Sequence, residues 1–213
     1  MLLVAAGRKP AVNALDLAKA NVSFDAKGIK VNNRMQTSNR RIYACGDVTG
    51  VMPLTHVAEL QAGIIIANMI FRLPRKINYD VIPSVVYTQP EVAQVGISVE
   101  QCSKLKHGEI HQFSYSQLDR AITDNKKAGI AKIVINRGRI AGAHIVGEHA
   151  GELIHELALA VQQRMKVSKI ASLVHAYPAY SQLNKRLVGQ YYSERFFSPL
   201  TKKIVAILNR FSS

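Results

Sequence analysis

The sequence predicts an α+β fold, an antiparallel sheet with helices, preceded by a segment of α/β character. Three observations carry that reading. The stretch Ile42 to Val48 holds a short apolar strand that closes on Gly46-Asp47 and leads through a loop to a helix, as at the edge of an α/β sheet. Beyond Pro83 the pattern changes to short strands and hairpins. Two apolar runs flank Asn136-Arg-Gly-Arg139, a two-residue hairpin turn, and a long amphipathic helix follows.

Taken in order, Leu2-Leu-Val-Ala-Ala6 before Gly7 predicts a buried strand ending in a glycine turn, and Pro10 punctuates the loop after it. Short strands are expected at Gly28–Val31 and Arg41–Ala44. Thr55 is the expected N-cap of a helix from about Val57 to Phe71, with Val57, Leu60, Ile64, Ala67 and Phe71 on one face. Leu73-Pro74-Arg75 ends it, and the basic stretch to Asn78 is a linker. Strands follow at Pro83–Thr88 and Pro90–Gly96, and Ser98 caps a short helix to about Leu105. Ile130–Ile135 and Ile140–Val146 form the hairpin. The long helix spans Ala150 to Met165 and lays Ile154, Leu157, Val161 and Met165 on one side. Another helix covers Tyr180 to Gln190. The domains expected are residues 1–75, 79–190 and a basic tail, 191–213.

Composition narrows the function classes. The 213 residues are 48% hydrophobic and 20% charged, ordinary for a globular chain. The apolar run Ala62–Phe71 is too short to span a bilayer, and Arg8 and Lys9 follow the apolar start instead of preceding it, unlike a signal peptide. Cys45 and Cys102 match neither a redox CxxC nor a zinc pattern, so no metal ligand is assigned. They are expected as thiols in a reducing, cytoplasmic setting. The net charge is +14, and from Arg164 onward nine Lys or Arg residues face a single acid, Glu194. The basic residues are scattered without an aromatic platform, so a solvated surface is expected and no nucleic-acid partner.

Leu3-Val-Ala-Ala-Gly-Arg-Lys-Pro10 resembles the end of the NAD(P)-binding domain of the flavoprotein disulfide reductases, which include dihydrolipoamide dehydrogenase and mercuric reductase. The Gly46-Asp47 segment resembles their second FAD motif. Ile82-Pro-Ser-Val-Val-Tyr-Thr-Gln-Pro-Glu-Val-Ala-Gln-Val-Gly96 resembles the opening of their dimerisation domain. Gly142-Ala-His-Ile-Val-Gly147 and Gly151-Glu-Leu-Ile154 resemble its hairpin and long helix. The resemblance implies FAD and NAD(P) as cofactors and a two-fold homodimer. It places Gly46, Asp47, Pro53, Leu54, Thr55 and His56 at the flavin and Gly7 near the nicotinamide nucleotide. The residues read the same way: a carboxylate at a sheet's C-terminal edge can accept a flavin ribityl hydroxyl. A helix N-terminus after Pro53–His56 can face the pyrimidine oxygens. The alternative is that Asp47 only caps a turn.

The chain also departs from the family. It contains no GxGxxG to cradle a pyrophosphate and no CxxxxC redox pair. It is therefore expected to be the C-terminal part of a longer enzyme, truncated at its N-terminus, not retaining its cofactors and not catalytic alone. Its reaction would be NAD(P)H oxidation against a disulfide, a metal ion or a quinone-like acceptor. Where the family carries His-Ala-His-Pro-Thr with a later Glu, this chain has His175-Ala-Tyr177-Pro-Ala-Tyr-Ser-Gln182. Tyr177 replaces the acid/base His and Gln182 its orienting Glu. A phenol titrates near pH 10 and an amide does not titrate, so the pair does not supply the usual proton relay. Mercuric-reductase-like relatives also depart from the His-Glu pair, so the resemblance is closer to that branch. His175 stands as an offset base or, more simply, as a structural histidine. The alternative function is a non-catalytic dimerisation module that pairs with itself or with an intact paralogue; the missing N-terminal half is the partner expected under the first reading. In the tail, Leu200, Ile204, Ile207, Leu208 and Phe211 share a helical face with Lys202, Lys203 and Arg210 off it. That pattern suits a helix packed on its own domain, the expectation here, or one lying on an anionic membrane surface.

Overall fold

The computed structural model describes residues 1–210. The chain divides into two compact units, Met1–Tyr79 and Asp80–Ser213.

In the first unit the expected strand at Leu2–Ala6 does not form, and Leu2, Leu3 and Val4 are exposed. A strand needs a neighbour to bond its backbone, and among the described residues none pairs with this segment. Strands β1 (Phe24–Asp25) and β2 (Gly28–Ile29) form a minimal antiparallel pair. The expected strand at Arg41–Ala44 shrinks to one bridge, Tyr43 with Gln36. Val12, Leu17, Val22, Ile29 and Ala44 make a small core. Helix α1 (Thr55–Met69) has Leu54, extended and without a side-chain cap, at its N-cap, so Thr55 is the first helical residue instead of the cap. Its buried stripe is Val57, Gln61 and Ile64, while Leu60 and Phe71 are exposed. The run Gly63-Ile-Ile-Ile66 is apolar on every side, so periodicity could not orient the helix.

The second unit is a five-stranded antiparallel sheet. Its strands are β3 (Ser84–Val86), β4 (Glu91–Gly96), β5 (Gly108–Ser114), β6 (Ile130–Asn136) and β7 (Arg139–Gly147), in the order β3-β4-β7-β6-β5. The β6–β7 turn is made by Arg137 and Gly138 with φ of 51° and 71°, the left-handed pair that a tight hairpin requires. Strand β5 was not foreseen: its inward positions are His111 and Phe113, and a histidine at a core position hides the alternation.

Short helices α2 (Val99–Cys102) and α3 (Asp119–Thr123) precede the main pair. Ser98 and Gln101 close a reciprocal capping box on α2. Helix α4 (Ala150–Gln162) buries Ile154, Leu157 and Val161 in one core with Ala93, Val95, Ile133, Ala143 and Ile145. It stops short of Met165, where Arg164 turns left-handed (φ 48°). Its N-terminus is capped from across the sheet, the Gly151 N–H donating to Glu91 Oε2 at 2.8 Å. Gly147 passes against the buried Tyr115 ring, where an added Cβ would lie 2.3 Å from Cζ.

Helix α5 (Val167–Ala171) is followed by α6 (Gln182–Phe196), which adds Leu183, Leu187 and Val188 to the core. Helix α6 starts two residues after Tyr180 and runs past Gln190, so the expected boundary at 190/191 falls inside a continuous helix. Helix α7 (Pro199–Arg210) starts with proline in its first turn, and Ser198 Oγ accepts the Thr201 N–H at 3.3 Å. The tail was expected to pack on its own domain, yet Ile204, Val205 and Ile207 are about half exposed (48%, 48% and 54%). The side chains of Leu200, Leu208 and Arg210, and Phe211 altogether, lie outside the described residues. No described helix is long and apolar enough to cross a membrane.

Candidate functional site

In the first unit the Gly46-Asp47 turn lines an open cleft of about 640 Å³ with Arg8, Lys9, Lys27, Gly50 and Pro53. Two close approaches build it. Gly28 (φ 130°) lies against the Val48 carbonyl and Gly50 (φ 67°) against the Lys27 carbonyl, so close that an added Cβ would sit 2.4 and 1.6 Å from those oxygens. The chain can cross itself there only through glycine. Behind the turn, buried Gln61 accepts the Gly46 N–H at 2.6 Å and donates to the Tyr79 hydroxyl at 2.9 Å. Gln61 fixes the turn from α1. Its signal in the sequence was an amide amid an apolar helix run, which reads as a surface position until burial is known.

The Asp47 carboxylate is 54% exposed and bonds to Arg8 instead of capping its own turn. Arg8 Nη1 reaches Asp47 Oδ2 at 3.5 Å and the Pro53 carbonyl at 3.2 Å. Pro53 leads directly into α1, whose N-terminus carries no side-chain cap. The cleft therefore presents a carboxylate and three cations, with Pro53 in its wall two residues before α1 begins. The carboxylate and cations suit the hydroxyls and oxygens of a flavin, but of the six residues expected at it, Gly46, Asp47, Pro53, Leu54, Thr55 and His56, only Asp47 and Pro53 line the cleft. Gly7 (φ 84°) precedes Arg8 in the exposed N-terminal segment and has no neighbour within 4 Å of an added Cβ.

In the second unit, the segment between α5 and α6 holds His175, Tyr177 and Gln182. His175 is 4% exposed in its side chain, and its Nε2 lies 3.0 Å from Glu156 Oε1 of α4. Glu156 Oε2 accepts from Asn184 Nδ2 at 2.8 Å, and the same amide nitrogen donates to the Leu153 carbonyl at 3.0 Å. His175 Nδ1 faces the Leu173 carbonyl at 3.3 Å. Both ring nitrogens are thus engaged. Gln182 Nε2 donates to the carbonyls of His175 and Ala176 at 3.2 and 3.1 Å, so this amide holds backbone and orients no side chain. Tyr177 precedes a cis peptide to Pro178 and is 69% exposed, beside a shallow depression lined by Leu118, Arg120 and Arg186.

Glu156 and Asn184 escaped sequence reasoning because each lies on a helix far from the His175 segment. A neighbouring group is better defined electrostatically. Tyr180 donates to Asp124 Oδ2 at 3.1 Å, and Arg120 Nε donates to the same oxygen at 2.8 Å. The Arg120 hydrogen bond holds Asp124 below its usual range. Desolvation, reinforced by Asp124, pushes the Tyr180 phenol up to about 12. Among the described residues no group of His, Cys, Asp and Glu is placed to hold a metal ion.

The family model of the pyridine nucleotide-disulphide oxidoreductase dimerisation domain matches residues 82–187, and that of the pyridine nucleotide-disulphide oxidoreductases matches residues 1–62. Mitochondrial dihydrolipoyl dehydrogenase of Mus musculus is 40% identical over 186 residues, which are 85% of this chain and 36% of that protein. The crystal structure of LpdA from Mycobacterium tuberculosis matches with a TM-score of 0.79 at 27% identity, over 85% of this chain and 40% of that one. The HOCl-induced flavoprotein disulfide reductase RclA from Escherichia coli has the same fold over 88% of this chain and 44% of its own, with a TM-score of 0.80 at 22% identity. The chain spans 36% of the length of the mouse relative.

Proposed function

Since the chain belongs to the pyridine nucleotide-disulphide oxidoreductases, an FAD- and NAD(P)-dependent family, we propose that it supplies the dimerisation domain and part of the flavin site of such an enzyme and is not catalytic alone. When bound, FAD would pass electrons from NAD(P)H to the acceptor. The residues of this chain hold and orient it. Asp47 accepts from a ribityl hydroxyl, the start of α1 faces the ring oxygens, and Arg8 leaves the carboxylate as the ligand arrives. The cleft offers no pyrophosphate cradle, so a stoichiometric flavin needs further residues.

The observation that carries the reading is the state of Tyr177 and Gln182. The first is exposed and the second is spent on backbone, so no His-Glu relay exists at the family position. This favours chemistry like that of mercuric reductases, with Tyr177 donating a hydrogen bond or positioning a substrate. Overall likeness runs instead to dihydrolipoyl dehydrogenases, so the branch assignment rests on these two positions. The same observation supports the second reading, a dimerisation module without catalysis. Cys45 and Cys102 are both free thiols, consistent with a reducing compartment such as the cytosol.

The test is a visible spectrum and an NAD(P)H turnover assay of the chain alone and of the chain joined to the N-terminal part of a relative. The chain alone should show no flavin band, and the joined protein should show the band with turnover. A stoichiometric band from the chain alone overturns the partial-site reading. A flavin-loaded joined protein without turnover favours the non-catalytic module.

A further inference from the structure

We propose that one end of the second unit, the α6–α7 junction with the basic rim around it, docks on an anionic lipid surface, α7 lying in the plane of the headgroups. The first observation is apolar. Phe196 and Phe197 are 63% and 71% exposed, and Ile204 and Ile207, one helical turn apart on α7, are about half exposed. Lys202 and Lys203 sit beside them and are exposed. Helix α7 is held to α6 at its start, Thr201 Oγ1 donating to the Arg195 carbonyl at 2.8 Å. It is therefore presented at a fixed point instead of trailing from the domain.

The second observation is charge at the same end of the sheet. Arg195 of α6 binds Glu109 at the start of β5, at 2.8 Å, which places the α6–α7 junction there. Strand β5 begins at Gly108 opposite Asn136, so Lys104 and Lys106 before it share that end with Arg137 and Arg139 of the hairpin. The Arg139 backbone pairs with that of Lys166 in a single β-bridge, and the Arg139 guanidinium donates to the Arg164 carbonyl at 2.6 Å. Lys104, Lys106, Arg137, Arg139, Arg164 and Lys166 are exposed, and among the described residues none pairs with a carboxylate.

Cations alone would suit any polyanion. Exposed Phe196, Phe197, Ile204 and Ile207 decide the class, because an apolar face gains by entering the headgroup–acyl boundary and gains nothing on a phosphodiester backbone. The attraction to an anionic leaflet then adds to the apolar insertion and is screened by salt.

The experiment is co-sedimentation of the full 213-residue chain with vesicles of phosphatidylcholine, alone or mixed with phosphatidylglycerol, at low and high salt. The chain should bind the mixed vesicles at low salt and bind neutral ones at least about tenfold more weakly. Ile204→Glu with Ile207→Glu should reduce binding about tenfold or more, with the circular dichroism of the domain retained. Lys202→Gln with Lys203→Gln should weaken binding and flatten its salt dependence; this pair decides the matter if the glutamate variant loses structure. Four results overturn the proposal: no binding to mixed vesicles, binding unchanged by both variant pairs, tighter binding to duplex DNA than to vesicles, or a soluble oligomer that the isoleucine variants dissolve without any vesicle binding. The last would make a second copy the occupant of α7.

Discussion

His175 and Glu156, nineteen residues apart, meet at 3.0 Å between Nε2 and Oε1, and Asn184 completes the contact from α6. The three side chains tie α4, α6 and the segment between α5 and α6 into one frame. Removing Glu156 leaves a histidine and an amide that lose a shared acceptor in a mostly buried place. Glu156→Ala should lower the unfolding free energy by about 1–3 kcal/mol, and Glu156→Gln, which keeps the shape, by less. Urea denaturation checks this: the midpoint should fall while the slope holds.

The Arg120–Asp124–Tyr180 cluster gives pH dependence at both extremes. Asp124 is held below its usual range by Arg120, so its contribution is present above its ordinary value of 3.8 and is lost as pH falls through the lowered one. Tyr180 is raised to about 12, so its contribution is present below 10.0 and is lost as pH rises from 10.0 toward 12. Thermal midpoints across pH test both. Asp124→Asn should flatten the acid limb, and Tyr180→Phe the alkaline one.

Gly50 is the tightest crossing in the first unit. An alanine there combines φ of 67° with a Cβ 1.6 Å from the Lys27 carbonyl, so the loop must move. Gly50→Ala should cost more than the roughly 1–3 kcal/mol typical of a strained residue. It should also disorder the Asp47 turn, which rests on the same crossing. Hydrogen exchange of residues 46–50 reads the local effect, and Gly63→Ala, with open space at the Cβ, is the control.

Legibility followed the strength of local signals. The hairpin at Arg137-Gly138, the Ser98 cap and the apolar stripe of α4 were legible because turn chemistry and helical period act within a few residues. Strand β5 was hidden by His111 facing the core. The strand expected at Leu2–Ala6 failed because an apolar run specifies a strand only when another strand lies alongside. At the site, Asp47, Tyr177 and Gln182 were legible as positions in a motif. Arg8 beside Asp47, Glu156 beside His175 and the two backbone carbonyls that hold Gln182 were not, since long-range pairing leaves no trace in spacing. The apolar stripe of α4 packs on its own sheet.

If the second unit pairs two-fold, its contact uses surface other than the α4 stripe packed on the sheet. Leu173, Val174 and Tyr177 form an exposed apolar patch on one segment, with Val174 at 86%. If this patch is the two-fold contact, burying one valine there contributes about 1.5–3 kcal/mol, and a charge in its place costs at least that. Val174→Asp should raise the dissociation constant tenfold or more. Analytical ultracentrifugation of the chain and its variant measures it. A parent chain that stays monomeric at tens of micromolar, or a variant that dimerises equally well, removes this patch from the interface.

Tyr177 separates positioning from proton transfer. The family histidine shuttles a proton near neutrality, whereas an ordinary phenol, titrating near pH 10, stays protonated there. Tyr177 is exposed, His175 is paired with Glu156, and Gln182, an amide that cannot take a proton, is spent on backbone. In the proposed role it donates a hydrogen bond to a bound substrate. In the joined, flavin-loaded protein, Tyr177→Phe should cost about tenfold in rate, the equivalent of a lost hydrogen bond of about 1–1.5 kcal/mol. Loss of general acid–base catalysis would cost about a hundredfold or more. Turnover of both proteins measured across pH distinguishes the two. With positioning, the profiles run parallel. A thousandfold loss together with a vanished titrating limb would make Tyr177 an acid/base.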